Sequence, residues 1–209
     1  MHRALLLAGL LLPVAALAQA PALPPEPGGR MPNLAPSPPT SPLAPGAPVP
    51  KATLDTMLGA LKVAPTDEVA EALEGQIRQA WSNQASPAVK LLLSRGAREM
   101  EEGAGGEAVD SFDAALDLEP DLLEAWRGRA QARLRSGDST GAVRDIEEVL
   151  RREPRHFAAL EDLSRIAESR GDWQGALAAW RKTMEASPRT PGGQDRLRDL
   201  ERRALGERA

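Results

Sequence analysis

The chain has no cysteine, no tyrosine and only two histidines among its 209 residues. Without cysteine it cannot form a disulfide, a thiolate metal site or an acylated-cysteine membrane anchor. Beyond the N-terminal segment His156 is the single histidine, and a metal site or an activated nucleophile needs partners that are missing here. We therefore predict no metal, no cofactor and no catalytic residue, and we expect His156 to be a surface residue of a turn.

Charge excludes further classes of function. Lysine and arginine number 26 against 30 acidic residues, which leaves a net charge of −4 and no general attraction to nucleic acid. Acidic side chains cluster at Glu99, Glu101 and Glu102, but a catalytic pair of carboxylates needs two contrasting environments in a cleft. We interpret these residues as a solvated surface and predict that the chain is not an enzyme and does not bind nucleic acid.

The N-terminus has the features of an export signal. Residues 4–18 are uncharged and rich in leucine and alanine. Small residues allow cleavage after Ala18 or Ala20, and we favour Ala18 because Pro21 would hinder the second cut. We predict that residues 1–18 are a signal peptide, that the chain is exported to the periplasm, and that no stable membrane insertion remains after cleavage. A signal anchor in the inner membrane is the alternative, although the run is shorter than the roughly 20 apolar residues that span a bilayer.

A proline-rich segment follows the signal. Residues 19–50 hold twelve of the 19 prolines, with few charges and no periodicity. This composition favours extended polyproline II backbone and cannot bury enough apolar surface to offset the entropy of ordering. We predict a disordered linker that spaces the folded part from a membrane or cell wall. A ligand for a proline-binding domain is the alternative.

The remaining chain repeats with a period of 34 residues. The markers are Pro120, Pro154 and Pro188, and the aligned units are residues 89–122, 123–156 and 157–190. Unit position 20 is always alanine, position 15 is always glycine, and positions 4 and 24 are large and apolar. Because glycine permits the backbone that ends a helix and proline cannot continue one, each unit predicts two helices that meet at position 15. The period therefore indicates a helical solenoid, with Trp126 and Trp180 in its core.

These positions resemble the tetratricopeptide repeat. That family's pattern has Trp or Leu at position 4, Leu-Gly at 7 and 8, Ala at 20, an aromatic residue at 24, Ala at 27 and Pro at 32. The chain departs from it at positions 7 and 8, which read Arg95-Gly96, Arg129-Ala130 and Leu163-Ser164. The resemblance covers residues 89–190 and implies an all-α fold, a right-handed solenoid of helical hairpins. The arrangement is similar to exported tetratricopeptide-repeat proteins of alphaproteobacteria, a group with no established activity.

Amphipathic segments flank the repeats. Before them, two apolar stripes have helical spacing: Leu54, Leu58 and Leu61, then Val69, Leu73, Ile77 and Trp81. We predict that residues 51–88 form a divergent helical pair that caps the N-terminal end of the solenoid. Residues 191–209 predict a capping helix and tail at the other end, because one side is apolar and the rest is charged.

The resemblance also implies a groove. In this family the first helix of each unit lines the concave surface, with positions 2, 5, 9, 12 and 13 directed into it. The candidate peptide-binding residues are Arg127, Gln131, Arg135, Glu161 and Arg165. Guanidinium groups suit carboxylates or peptide carbonyls. The alternative is that these arginines serve solubility through salt bridges to neighbours such as Glu161.

One specialised form of the groove is not expected. Repeats that clamp the C-terminal carboxylate of heat-shock chaperones carry Lys at position 5 and Asn at position 9, then Asn at position 6 of the next unit. This chain has Leu93, Ala97 and Gly128 at those positions. We predict a protein-interaction module of the cell envelope that binds another protein or peptide. A self-assembling structural protein and a glycan-binding accessory protein, with Trp173 as its exposed aromatic residue, are the alternatives.

Overall fold

The computed structural model describes residues 49–206. The predicted signal peptide and almost all of the predicted linker lie outside these residues. The described part is entirely helical, without a strand, and confirms the predicted all-α class. Its helices are α1 (Lys51–Lys62), α2 (Asp67–Ser82), α3 (Pro87–Glu101), α4 (Gly105–Leu118), α5 (Leu123–Arg135), α6 (Ser139–Arg152), α7 (Phe157–Ser169), α8 (Trp173–Ala186) and α9 (Gly193–Ala204). In residues 49–206, none of these helices combines the length and the apolar character needed to cross a bilayer.

Three helical hairpins correspond to the three sequence units: α3–α4, α5–α6 and α7–α8. Each turn has its position-15 glycine in the left-handed region, with φ of 79°, 90° and 73° at Gly103, Gly137 and Gly171. Two turns then continue with an aspartate whose carboxylate accepts the N–H group three residues later at 2.8 Å, namely Asp138 and Asp172. Glycine therefore ends the first helix, as the sequence predicts, and in these two turns aspartate caps the start of the second.

Small residues let the helices of a hairpin approach closely. The position-20 alanines Ala108, Ala142 and Ala176 are fully buried. Phe112 of α4 is buried between two glycines: a Cβ atom on Gly96 would lie 2.9 Å from its ring, and one on Gly128 would clash with it. The first and second units are therefore joined by a ring that only glycine accommodates on both sides.

Inside the hairpins the packing chemistry differs. In the second unit, Asp145 of α6 is 1% exposed and accepts hydrogen bonds from Arg129 and Arg133 of α5, with distances of 2.8–3.0 Å. The same positions 7, 11 and 23 of the third unit are Leu163, Ala167 and Ala179. The arginine that departs from the repeat pattern at position 7 is thus paired inside the hairpin in the second unit.

Successive units dock through positions 3, 6 and 10 of the first helix. In α5 and α7 these positions are buried or are glycine: Ala125, Gly128 and Ala132, then Ala159, Asp162 and Ile166. Helix α9 continues the register with Gly193 and Leu200 buried against α8, and the indole N–H of Trp180 donates to the Gly193 carbonyl at 3.0 Å. It therefore caps the C-terminal end as the first helix of a further unit would. Leu205 follows the helix and is exposed.

Helices α1 and α2 form the predicted pair, which we call the N-terminal hairpin, but their position differs from that of an end cap. Helix α1 packs against α8 and α2 against α5. Most of their predicted apolar stripes share one core with Phe157 and Ala158 at the start of α7, whereas Val69, predicted on the stripe of α2, is 40% exposed. The open end of α3 instead carries exposed Leu91, Ser94 and Arg98 at positions 3, 6 and 10. Two of these residues are polar, as the outer face of a terminal unit must be. Helix α3 therefore ends the solenoid, and the N-terminal hairpin does not cover it.

Polar contacts hold the N-terminal hairpin against the third unit. Ser187 donates to the buried carboxylate of Glu74 at 2.6 Å, and Arg189 donates to the Ala64 carbonyl at 2.8 Å and pairs with Asp67 at 2.8 Å. These partners lie in the turn after α8. The hairpin therefore contacts both the start of α7 and the turn after α8, an arrangement that the sequence period does not reveal.

Candidate functional site

Asp162 of α7 connects most of the candidate groove residues. Its carboxylate accepts from Arg127 Nε at 2.8 Å, from Gln131 Nε2 at 3.0 Å and from an Arg165 terminal nitrogen at 3.0 Å. Asp162 occupies position 6, which packs toward the preceding unit, so the groove pattern did not include it. The sequence signal that could have identified it is a charged residue at position 6, where the preceding unit has glycine.

Arg127 is committed to internal ion pairs. Besides Asp162, it contacts Glu124 at 3.0 Å, and only a quarter of its side chain is exposed. Burial opposes its charge, but Asp162 and Glu124 outweigh that effect and raise the pKa of Arg127. Arg127 is therefore paired with carboxylates, as the alternative interpretation expects, but the pairs are largely buried and do not serve solubility.

A cavity of about 230 Å³ lies between α5 and α7 and is lined by three of the other candidates. Gln131, Arg135 and Arg165 line it, with Leu134 and Ile166 as its apolar wall. Arg165 is shared between Asp162 and Glu161. Arg135 is exposed and donates to the Met100 carbonyl at 2.7 Å, and it makes no ion pair with a carboxylate of residues 49–206. Arg135 therefore keeps its positive charge available at the edge of this cavity.

Glu161 belongs to a different part of the groove. Helix α2 covers the start of α7, with the Arg78 guanidinium 4.9 Å from the Phe157 ring, and Ala158 is buried there. Glu161 is consequently half-buried. Burial raises its pKa, and nearby Glu74 and Asp162 act in the same direction against the opposing charges of Arg165 and Arg78. The five candidates are therefore divided between a covered part and an open part of the concave surface.

His156 is fully buried, so the prediction of a surface histidine is wrong. Its ring stacks on Trp81 of α2 at 3.7 Å, and its Nδ1 accepts the Ala159 N–H group at 3.2 Å. Its Nε2 lies 3.4 Å from a Glu124 oxygen. Nδ1 therefore carries no proton, and His156 caps α7 while filling the interface with the N-terminal hairpin. Its role here is structural.

The tryptophans of the repeats occupy three different environments. Trp180 is buried as predicted. Trp126, which the sequence also predicts in the core, is only half-buried: its N–H group donates to the Pro120 carbonyl at 2.7 Å, and Arg129 lies over its ring at 4.6 Å. Trp173, the candidate for glycan stacking, is half-buried and has the Arg203 guanidinium 4.9 Å from its ring. Within residues 49–206 no cluster of histidine and carboxylate groups has the form of a metal site.

Known proteins share this architecture. A family model described as tetratricopeptide repeat matches residues 93–143 and 128–191. A TPR repeat-containing protein of Rhizobium etli is 31% identical over 159 residues, which cover 76% of this chain and 78% of that protein. This relative confirms the resemblance to alphaproteobacterial repeat proteins.

Solved structures show the same fold at lower identity. The Sgt2 TPR domain from Aspergillus fumigatus has a TM-score of 0.54 and 24% identity, covering 58% of this chain and 82% of that domain. The first TPR of Spaghetti (RPAP3), bound to an HSP90 peptide, has a TM-score of 0.52 and 18% identity, covering 57% of this chain and 94% of the other. With its three aligned units, its hairpins and these relatives, the chain belongs to the tetratricopeptide repeat family.

Proposed function

We propose that this protein is a non-enzymatic adaptor that binds a peptide or a partner helix in the open part of its groove. One observation carries the proposal: Arg135, without a carboxylate partner in the described chain, borders a cavity whose apolar wall is formed by Leu134 and Ile166. A charged donor next to an apolar pocket can fix one acidic or carbonyl group and one apolar side chain of the same ligand.

The covered part of the groove limits how the partner lies. Helix α2 already contacts Phe157 and Ala158, so a ligand has access to the later turns of α5 and α7. Met100, whose carbonyl binds Arg135, extends this surface to the first unit. A segment that crosses the ends of the three first helices fits this accessible region.

The fold neighbours support a peptide as the class of ligand. The first TPR of Spaghetti is bound to an HSP90 peptide. Leu93, Ala97 and Gly128 replace the residues expected of a carboxylate clamp, so we propose a partner other than the end of a heat-shock chaperone.

Crosslinking with charge reversal tests the groove. The full chain, the Arg135→Glu variant and the matched control Arg144→Glu, which reverses an exposed charge on α6, are each crosslinked in cells and purified. We expect a protein that is recovered with the wild type and the control but lost by at least about tenfold with Arg135→Glu, because reversal repels an acidic ligand group. Equal recovery with all three, or no partner with any, would contradict the proposal.

The place of action is proposed from the N-terminal sequence. We propose export to the periplasm or cell envelope, with residues 19–50 as a spacer. Cell fractionation of the chain with and without residues 1–18 tests this: the complete chain should be found in the periplasmic fraction, and the shortened chain in the cytoplasm. A complete chain that stays in the cytoplasm would refute export without affecting the proposed groove.

A further inference from the structure

The outer faces of α4 and α6 carry opposite charges at the same repeat positions. Position 22 is Asp110 in the first unit and Arg144 in the second. Position 29 is Asp117 in the first unit and Arg151 in the second. Both positions are exposed and lie two helical turns apart, so their side chains form one stripe along each helix. We call these the acidic stripe of α4 and the basic stripe of α6.

The acidic stripe has no counter-charge inside the described chain. Asp110 and Asp117 are exposed, and neither makes an ion pair within residues 49–206. The neighbouring Asp113 lies to the side of the stripe and is paired with Arg129 of α5. Carboxylates of α4 that face inward are therefore neutralised, whereas those of the stripe are directed at the surroundings.

The basic stripe is similarly available. Arg144 is exposed and makes no ion pair within residues 49–206. Arg151 has a side chain that is 65% exposed, and it contacts only Glu148 of its own helix, at 2.9 Å. Position 26, between the two arginines, is Glu148 in α6 and the small Ala114 in α4. The single acidic residue of the basic stripe therefore corresponds to an uncharged residue in the acidic stripe.

The two stripes cannot meet within one copy of the chain. Helix α4 packs against α3 and α5 and makes no contact with α6 in the described chain. Because α4 and α6 are equivalent helices of successive units, they run in similar directions and present their stripes on the same outer side. A surface that carries the same two stripes in the reverse lateral order would neutralise both at once, and a second copy of this chain provides it.

We propose that two copies of this chain associate through the outer faces of α4 and α6, around a two-fold axis that runs between these helices and parallel to them. Such an axis places α4 of each copy opposite α6 of the other, with the same repeat positions at the same height. Asp110 of one copy then faces Arg144 of the other. Asp117 faces Arg151 in the same way, and each pair occurs twice. Exposed ion pairs make this a weak, salt-sensitive contact, and it is independent of the ligand of the groove.

Sedimentation equilibrium of the chain, purified as cells produce it, tests the association. We expect a monomer–dimer equilibrium whose dissociation constant rises at least about tenfold between about 20 and about 300 mM NaCl, because salt screens exposed charges. Arg135→Glu, which alters the groove, should leave this constant unchanged. A chain that stays monomeric at about 1 mM in low salt, or a dimer that is insensitive to salt, would overturn the proposal.

Charge reversal identifies the interface. The acid-reversed variant carries Asp110→Arg and Asp117→Arg, and the base-reversed variant carries Arg144→Asp and Arg151→Asp. Each should remain monomeric alone, because like charges then face each other. Their equimolar mixture should form a heterodimer, because every facing pair is again opposite in sign. A mixture that stays monomeric, or either variant dimerising alone as wild type does, would overturn the proposal.

Exposed carboxylates elsewhere provide the matched control for net charge. The variant Glu71→Arg, Glu101→Arg makes the same change in total charge on α2 and α3, and its dissociation constant should stay within about threefold of wild type. Loss of the dimer in this control would assign the effect to net charge and contradict the proposed face. Arg144→Glu alone should weaken the dimer about tenfold, since its pair occurs twice, and should keep the partner of the groove.

Discussion

The α5–α6 and α7–α8 hairpins share their backbone fold, but the side chains between their helices are ionic in the first and apolar in the second. Between α5 and α6, Asp145 is held by two arginines, whereas the matching positions between α7 and α8 are leucine and alanine. Both hairpins keep the buried alanine at position 20 and the positive-φ glycine at position 15. The comparison teaches that the side chains at positions 7, 11 and 23 must match one another, either as an ionic set or as an apolar set.

The largest predicted effect comes from removing one partner of the ionic interior. Asp145→Ala leaves Arg133 without a carboxylate partner, whereas Arg129 keeps its ion pair with Asp113. We expect the free energy of unfolding, measured by urea denaturation, to fall by about 3 kcal/mol, because an unpaired and largely buried charge costs more than the pair contributes.

The third unit provides the control for this experiment. The triple variant Arg129→Leu, Arg133→Ala, Asp145→Ala installs its apolar set in the second unit, and we expect stability within about 1–2 kcal/mol of wild type. A triple variant as unstable as Asp145→Ala would show that the two interiors are not interchangeable.

A smaller effect is expected at position 6, where the two units also differ. Gly128 in α5 faces the Phe112 ring, and a methyl group there would clash. The same position of α7 is Asp162, and the counterpart of Phe112 in the second unit is the smaller Ile146. Gly128→Ala should destabilise the protein by about 1–3 kcal/mol in thermal and urea unfolding. Adding Phe112→Ile, the residue of the second unit, should recover part of the loss; strictly additive losses would argue against this contact.

The smallest predicted effect concerns two glutamates whose pKa values are shifted in opposite directions. Glu124 has a lowered pKa: burial opposes its charge, but His156 and Arg127 outweigh it. Glu161 has a raised pKa, chiefly because of burial. A carboxyl group whose folded pKa is raised destabilises the fold when ionised, and this penalty disappears as the pH falls through the raised value to the ordinary 4.5.

Denaturation at several pH values tests this difference. At pH 7, Glu161→Gln should gain at most about 1 kcal/mol, since its pair with Arg165 is partly exposed and weak, and the gain should vanish below pH 4.5. Glu124→Gln should lose stability at pH 7 and approach wild type in acid. A gain for Glu161→Gln that persists in acid would contradict the assigned cause.

Much of the fold follows from local chemistry that the sequence displays. Gly137 and Asp138 predict a turn because their conformational and capping preferences act within a few residues. Ala142 predicts a close contact between the two helices of its unit, because position 20 is a small residue in all three units. Gln131, Arg135 and Arg165 are groove residues that the family resemblance implies, and they lie around one cavity. Whether they bind a ligand stays a prediction.

The features that the sequence did not predict depend on long-range contacts. The N-terminal hairpin lies outside the 34-residue register, so nothing in the period places it against the third unit. His156 was expected at the surface because inter-unit turns are usually exposed, and it is buried only because Trp81 covers it. Glu161 fits the groove pattern equally well, but α2 covers that part of the groove.

The position of the N-terminal hairpin changes the order in which the protein can fold. Solenoids normally gain stability from neighbours in sequence, so that units can form one after another. Here Glu74 meets Ser187 and Asp67 meets Arg189, separated by 113 and 122 residues. The hairpin leaves the ribosome long before these partners, and its apolar stripe must wait for the third unit. The described chain therefore closes into a single cooperative unit, with a folding rate limited by its most distant contacts.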